Sequence, residues 1–193
     1  MIRKARIADV VGIQKMLGHF AQKGKLLPRS LSELYTNLRD TFVAEEEQDG
    51  RVVGCCSLHI IWENLAEIRS LAVDDAHQGR GIGRRLVEAC TAEAHELGIG
   101  RLFTLTYETG FFKRLGFKVV DKNIFPHKIW ADCLHCPKFP DCDEVALVLN
   151  LKPQPDLPAM GPTIPGVPEP PAPKKRGPAR RRKEPSPGDR IGC

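Results

Sequence analysis

The sequence predicts a mixed α/β domain over residues 1–151, followed by a disordered tail over residues 152–193. Three observations carry this. Apolar residues recur at helical spacing in some stretches and gather in short β-branched runs between them. A glycine-rich turn, Gln78-Gly79-Arg80-Gly81-Ile82-Gly83, joins one of those strands to the longest helical pattern. Past Leu151 the composition changes: Lys152 to Cys193 holds twelve of the sixteen prolines and almost no aliphatic run.

Ile2 to Ile7 reads as a first strand. Asp9 is placed to cap a helix through about Lys23, with Val10, Ile13, Met16, Leu17 and Phe20 on one face. Gly24 to Arg29 is a loop. Ser30 caps a second helix and Glu33 completes a capping box, with Leu31, Leu34 and Leu38 sharing a face. A strand from about Thr41 to Glu46 reaches Asp49-Gly50, a hairpin signal, and Val52 to Ile61 returns. Trp62-Glu63-Asn64 turns into the strand Glu67 to Val73. A helix from about Gly83 to Leu97 follows, then a strand near Leu102 to Thr106. A short helix carries Phe111 to Leu115 with Gly116 as its C-cap, and Val145 to Leu151 is the last strand. No internal repeat is present.

The net charge of +5 is a property of the tail. Lys152 to Cys193 holds nine Lys/Arg and four Asp/Glu, which leaves twenty of each sign in the domain. So proline-rich a segment cannot bury enough apolar surface to offset the entropy of ordering. Its basic clusters, Lys174-Lys175-Arg176 and Arg180-Arg181-Arg182-Lys183, either attract nucleic acid or anionic surfaces weakly or serve as a solubilising extension. No apolar stretch reaches membrane-spanning length, and Met1 to Arg6 lacks the apolar region of a secretory signal. Seven cysteines, an odd count, suggest reduced thiols and a cytoplasmic protein.

Strand, glycine turn and helix form an arrangement that grips a pyrophosphate. Glycines let successive N–H groups converge on one anion, and the helix start adds partial positive charge. Arg80, Arg84 and Arg85 add full charges. There is no Gly-Lys-Ser/Thr of a nucleotide P-loop, and Leu86 stands where the dinucleotide fingerprint needs its third glycine. The spacing Gln-x-x-Gly-x-Gly resembles the acetyl-coenzyme A loop of the GNAT N-acetyltransferases. About thirty residues on, Phe111-Phe112-Lys113-Arg114-Leu115-Gly116-Phe117 resembles that family's Phe-Tyr-x-x-Leu-Gly-Phe segment. The resemblance covers about residues 1–151 and implies a mostly antiparallel sheet flanked by helices.

It also implies a chemistry. Acetyl-CoA would be held by Gln78, Gly79, Arg80, Gly81, Ile82, Gly83 and Arg84, with its pantetheine arm along the freed edge of the central strand at Leu71, Ala72 and Val73, and near Phe112. A backbone N–H at about Leu71 would face the developing oxyanion; otherwise this is an ordinary buried strand. Glu67, in Ala66-Glu67-Ile68, resembles a catalytic glutamate that deprotonates the amine; the alternative is a strand-start glutamate partnered with Arg69. Strict alternation puts Glu67, Arg69, Leu71 and Val73 on one face. Family members often carry a tyrosine at Phe112, and phenylalanine has no proton to give. Tyr107 or Thr106 is then the donor to the thiolate, or the thiolate leaves unassisted.

A closer resemblance is to the acetyltransferase domain of N-acetylglutamate synthases in their short bacterial form. It rests on Leu26-Leu27-Pro28-Arg29-Ser30, Phe42-Val43-Ala44-Glu45, Asp49 to Cys56, Ala66 to Val73 and Gly110 to Phe117. It implies glutamate as acceptor, arginine biosynthesis as setting, and no kinase-type arginine feedback site. Glutamate's two carboxylates call for cations, and Lys25, Arg29 and Arg69 are placed to supply them. Lys113 and Lys128 are further candidates. Cys133-x-x-Cys136, with Cys142 and His127 or His135, has metal-knuckle spacing, but a second pair is missing and acetyl transfer needs no metal. Two other functions stay open: a GNAT enzyme for another amine, and a non-catalytic acetyl-CoA-binding protein. The oligomeric state is also open, a homodimer included.

Overall fold

The computed structural model describes residues 1–47, 49–122, 125 and 142–152. All of them fall in one compact unit, residues 1–161. Among the described residues, seven strands and four helices follow in the order β1 (Ile2–Lys4), α1 (Val10–Gln22), α2 (Leu31–Thr36), β2 (Thr41–Glu45), β3 (Val52–Trp62), β4 (Leu65–Val73), α3 (Ile82–Glu96), β5 (Arg101–Thr106), α4 (Thr109–Arg114), β6 (Lys118–Val120) and β7 (Val145–Asn150). They build one sheet in the order β1-β2-β3-β4-β5-β7-β6. Every pairing is antiparallel except that of β4 with β5.

Helical spacing explains how the sheet is covered. Ile13, Leu17 and Phe20 of α1 bury against Val43, Cys55 and Ala72. Leu86, Val87, Cys90 and Ala94 of α3 bury on the other face against Ala44, Cys56, Leu58, Ala66 and Ile68. Cys55 and Cys56 are neighbours in β3 and point to opposite faces, as a pleated strand requires. A smaller cluster gathers Leu65, Phe103, Phe125, Ala146 and Val148, with the Phe103 and Phe125 rings 4.6 Å apart. Cys55, Cys56 and Cys90 are buried free thiols, and burial pushes the Cys55 thiol up to about 12.

Local signals account for most boundaries. Ser30 Oγ accepts from Glu33 N, and the Glu33 carboxylate accepts from Ser30 N at 2.8 Å. Gly116 takes φ +88° just past α4, where Gly116 N bonds Lys113 O and Phe117 N bonds Phe112 O. That is a Schellman closure, with Leu115 as the C-cap and glycine one residue beyond it.

The N-terminal region corrects the expectation. The first strand stops at Lys4 because Ile7–Asp9 forms a 3-10 turn. Asp9 does precede α1, but its carboxylate makes no cap bond to that helix. It accepts instead from Arg6 N at 2.7 Å and from both ends of the Arg3 guanidinium at 2.7 and 3.1 Å. Arg3 also pairs with Glu45 on β2. The face of α2 is only partly a core face: Leu34 packs against the α1 cluster, but Leu31 is exposed and Leu38 lies in the 3-10 turn Leu38–Asp40. β6, which no sequence signal marked, pairs with β7.

The Arg3–Asp9 pair sets an acid limit. The Arg3 hydrogen bonds hold the Asp9 carboxyl below its ordinary value of 3.8. A depressed carboxylate contributes stability above its unfolded pKa and loses it as pH falls through the folded one. Asp9→Ala should therefore cost about 1.5–3 kcal/mol at neutral pH and much less under strong acid. Urea unfolding at both pH values checks it; an equal cost at each would mean that the charge is not involved.

Candidate active site

β4 and β5 share a register only at Leu65↔Arg101, Ala66↔Leu102 and Glu67↔Phe103. Beyond Glu67 each keeps to its outer neighbour, β4 to β3 as far as Val73 and β5 to β7 as far as Thr106. The centre of the sheet therefore splits into a wedge. One wall is β4 from Ile68 to Val73, whose backbone groups on that side have no ladder partner from β5. The wedge belongs to a cleft of about 1140 Å³, walled also by Lys25–Arg29, Thr104–Glu108 and the start of α3.

A bulge in β4 decides what faces the cleft. Cys55 pairs with Ala72 and Ser57 with Arg69, so Ser70 and Leu71 together oppose Cys56. Ser70 takes φ +54°, the only non-glycine in the left-handed region among the described residues. Strain of this kind persists where surrounding structure enforces it; Cys55 Sγ reaches Ser70 O at 3.4 Å. The bulge reverses the alternation. Ile68 faces the α3 core before it, and Leu71 and Val73 face that core after it. The expected single face is thus corrected: Glu67 and Arg69 lie on one side of the sheet, Leu71 and Val73 on the other.

The glycine turn is built from backbone conformation. Gly79 and Gly81 take φ +75° and +76°, and a Cβ at either would stand in open space. Gly83, in the first turn of α3, faces the Phe111 ring, which a Cβ there would meet at 3.5 Å. α3 thus starts with free N–H donors at the cleft and a 15-residue dipole behind them. A brace holds the preceding 3-10 turn, Asp75–His77. His77 is 7% exposed and bonds Glu46 at 3.1 Å and Asp74 at 3.4 Å. Asp75 takes His19 of α1 and Lys23 just past its end, and these hold its carboxyl down at about 2, Lys23 most of all. Gln78 Nε2 spans Val73 O and Asp75 at 3.0 and 3.1 Å.

Across the cleft, Arg29 is steadied by Glu33 at 3.2 Å. Lys25, Arg29, Glu67, Arg69, Leu71, Ala72, Val73, Gln78, Gly79, Gly81, Ile82, Gly83, Arg84, Tyr107 and Phe112 all line this one cavity, whereas Arg80 is not among its walls. Arg84 is engaged by Glu88 at 2.7 Å. Phe112 is 3% exposed and stacks edge-on to Phe111 and Phe117, so its ring serves the core as well as the cleft. The Tyr107 hydroxyl donates to Asp143.

A sequence model of the acetyltransferase (GNAT) family matches residues 18–117. The chain belongs to the GNAT family of acetyltransferases. It is 45% identical over 150 residues to an uncharacterized N-acetyltransferase of Chlorobaculum tepidum, covering 78% of this chain and 96% of that protein. It is 41% identical over 122 residues to an amino-acid acetyltransferase of Mycobacterium tuberculosis, covering 63% of this chain and 70% of that one. The crystal structure of N-acetylglutamate synthase from Neisseria gonorrhoeae, complexed with coenzyme A and N-acetyl-glutamate, is similar with a TM-score of 0.71 at 28% identity; the match covers 79% of this chain and 35% of that one. The likeness to amino-acid acetyltransferases read from the sequence is thereby found, and the enzyme class is that of an acetyl-CoA-dependent acyltransferase.

Some features of this GNAT site escaped sequence reasoning. Ser70 gives no sign of its φ, since a lone serine in a strand reads as solvent-facing. His77 and Glu46, over thirty residues apart, carry no motif. Of the metal-knuckle candidates, His127, Cys133, His135 and Cys136 lie outside the described residues, as does Lys128. Cys142 is a free thiol whose carbonyl takes Lys122 Nζ at 3.0 Å. Among the described residues there is no metal-binding group, and no helix is long and apolar enough to cross a membrane.

Proposed function

We propose that this enzyme moves the acetyl group of acetyl-CoA to the α-amine of L-glutamate, a step that opens arginine biosynthesis. One observation carries the reading: the Lys25–Arg29 loop, the glycine turn and Glu67, at the last β4–β5 pair, all line the same cleft. The similarity to an amino-acid acetyltransferase supports it.

Each part then has a task. Gly79, Gly81 and the N–H groups of Ile82 to Arg84 receive the pyrophosphate. The unpaired edge from Leu71 to Val73 receives the pantetheine arm, and the Leu71 N–H stands where oxyanion charge develops. Lys25, Arg29 and Arg69 take the acceptor's carboxylates, and Arg29 needs only part of its fork for Glu33. Glu67 takes the ammonium proton. Tyr107 can protonate the leaving sulfur only by releasing Asp143. A phenolate beside a carboxylate is uphill, and a thiolate with a pKa near 8.5 can leave unaided.

The test is an acceptor screen with free-thiol detection, glutamate beside glutamine, other amino acids and peptides. Thiol release with another amine and not glutamate would reassign the substrate; none with any amine would point to a binding protein. Arg29→Ala should raise the KM for glutamate by roughly ten- to a hundredfold, the loss of a charge-assisted bond of about 1.5–3 kcal/mol. Calorimetry should find acetyl-CoA affinity nearly unchanged. Wild-type kinetics in this variant would remove the main support for glutamate.

A further inference from the structure

The geometry points to His59, held by Asp40, as the group that carries the substrate's proton away from Glu67; the inference rests on Glu67 being the base. His59 is the direct partner of Glu67 in the β3–β4 register. Directly opposed residues of an antiparallel pair share a face, their Cβ atoms about 4.5–5.5 Å apart. His59 Nδ1 lies 2.8 Å from Asp40 Oδ2. Asp40 ends the 3-10 turn that leads into β2, so it stands on one side of the imidazole while Glu67 stands on the other, on β4. Asp40 and Glu67 thus flank the ring, and the next residue along β4 on the Glu67 face is Arg69, opposite the neutral Ser57. The ring is 26% exposed, half sheltered yet within reach of water.

Proton balance gives this arrangement a task. A substrate arriving as an ammonium ion yields an amide and a thiol, which leaves one proton to discharge in every turnover. The amine's N–H bond breaks as an O–H bond forms on Glu67. A protonated Glu67 cannot serve again until that proton leaves. Asp40 accepts a hydrogen bond from Nδ1–H, which leaves the Nε2 lone pair free to take it. The Glu67 O–H bond then breaks, the Nε2–H bond forms, and the imidazolium beside Asp40 returns the proton to water. His59 does not touch substrate in this scheme; it is a positioning and relay residue.

The test uses the full chain with His59→Ala, His59→Gln, Asp40→Asn and, as reference, Glu67→Gln. Both His59 variants should bind acetyl-CoA normally and keep the KM for glutamate, with kcat lower by about tenfold or more, less than the loss of a directly acting base. Free imidazole should restore much of the His59→Ala rate in a concentration-dependent way and none of the Glu67→Gln rate. Asp40→Asn should lower kcat by a smaller factor, since it removes the charge that steadies the imidazolium. A wild-type rate in His59→Gln, or a slow His59→Ala that does not respond to imidazole, overturns the relay. A wild-type rate in Glu67→Gln is a different failure, that of the base assignment itself.

Discussion

Glu67→Gln should bind acetyl-CoA as the wild type does and turn over glutamate about a hundred- to ten-thousandfold more slowly. The side chain is replaced by one of equal size that cannot accept a proton, so any loss lies in chemistry. Its place in the fold makes this a clean experiment. Glu67 sits at the last paired position of β4 with β5, before the bulge, so its backbone is fixed by ladders on both sides. A base is useful because an amino acid's amine is mostly protonated near neutral pH. Raising the pH supplies free amine from solution and should narrow the gap between variant and wild type. A variant as fast as wild type at neutral pH would take Glu67 out of the reaction.

Gly81→Asp should abolish measurable acetyl-CoA binding in calorimetric titration while the domain stays folded. Gly81 has φ +76° and its side is open, and Asp and Asn tolerate that backbone better than other residues do. An acidic residue at a helix start even favours the helix. What it opposes is a pyrophosphate in the same field. Gly81→Asn, with the same shape and no charge, should therefore keep much of the affinity. Gly83→Asp should behave as Gly81→Asp does, whereas Gly83→Ala brings only ordinary contact with Phe111 and should bind. Equal titrations for Gly81→Asp and wild type would mean that the turn serves something else.

How far the sequence could be read depended on the range of each signal. The capping box Ser30–Glu33, the Asp49-Gly50 turn and the glycine turn before α3 are local chemistry, and each lies where its residues predicted. The buried stripes of α1 and α3 follow from spacing alone. The failures share a cause. Asp9 offers a cap bond that Arg3, six residues away, outcompetes with two charge-assisted ones. The alternation of β4 breaks at Ser70 because β3 and the packing around Cys55 impose a register that no feature of β4 announces. The brace from His77 to Glu46 and the contact of His59 with Asp40 exist only once strands are paired. Motif reading named residues that line the cleft; the groups behind them needed the fold.

The split between β4 and β5 has a consequence for anyone who would make this protein sturdier. A sheet gains cohesion from every rung of its ladder, and here the rungs between β4 and β5 stop after Glu67 in the middle of the molecule, while each strand stays paired on its outer side. A redesign that zipped β5 onto β4 as far as Val73 would add those rungs and close the cavity in the same stroke. The short seam at the centre of the sheet is the one proposed to hold the pantetheine arm, a trade between stability and function that natural enzymes commonly accept. Reinforcement belongs at the outer strands, at β1 with β2 and β6 with β7, where added cohesion leaves the gap open.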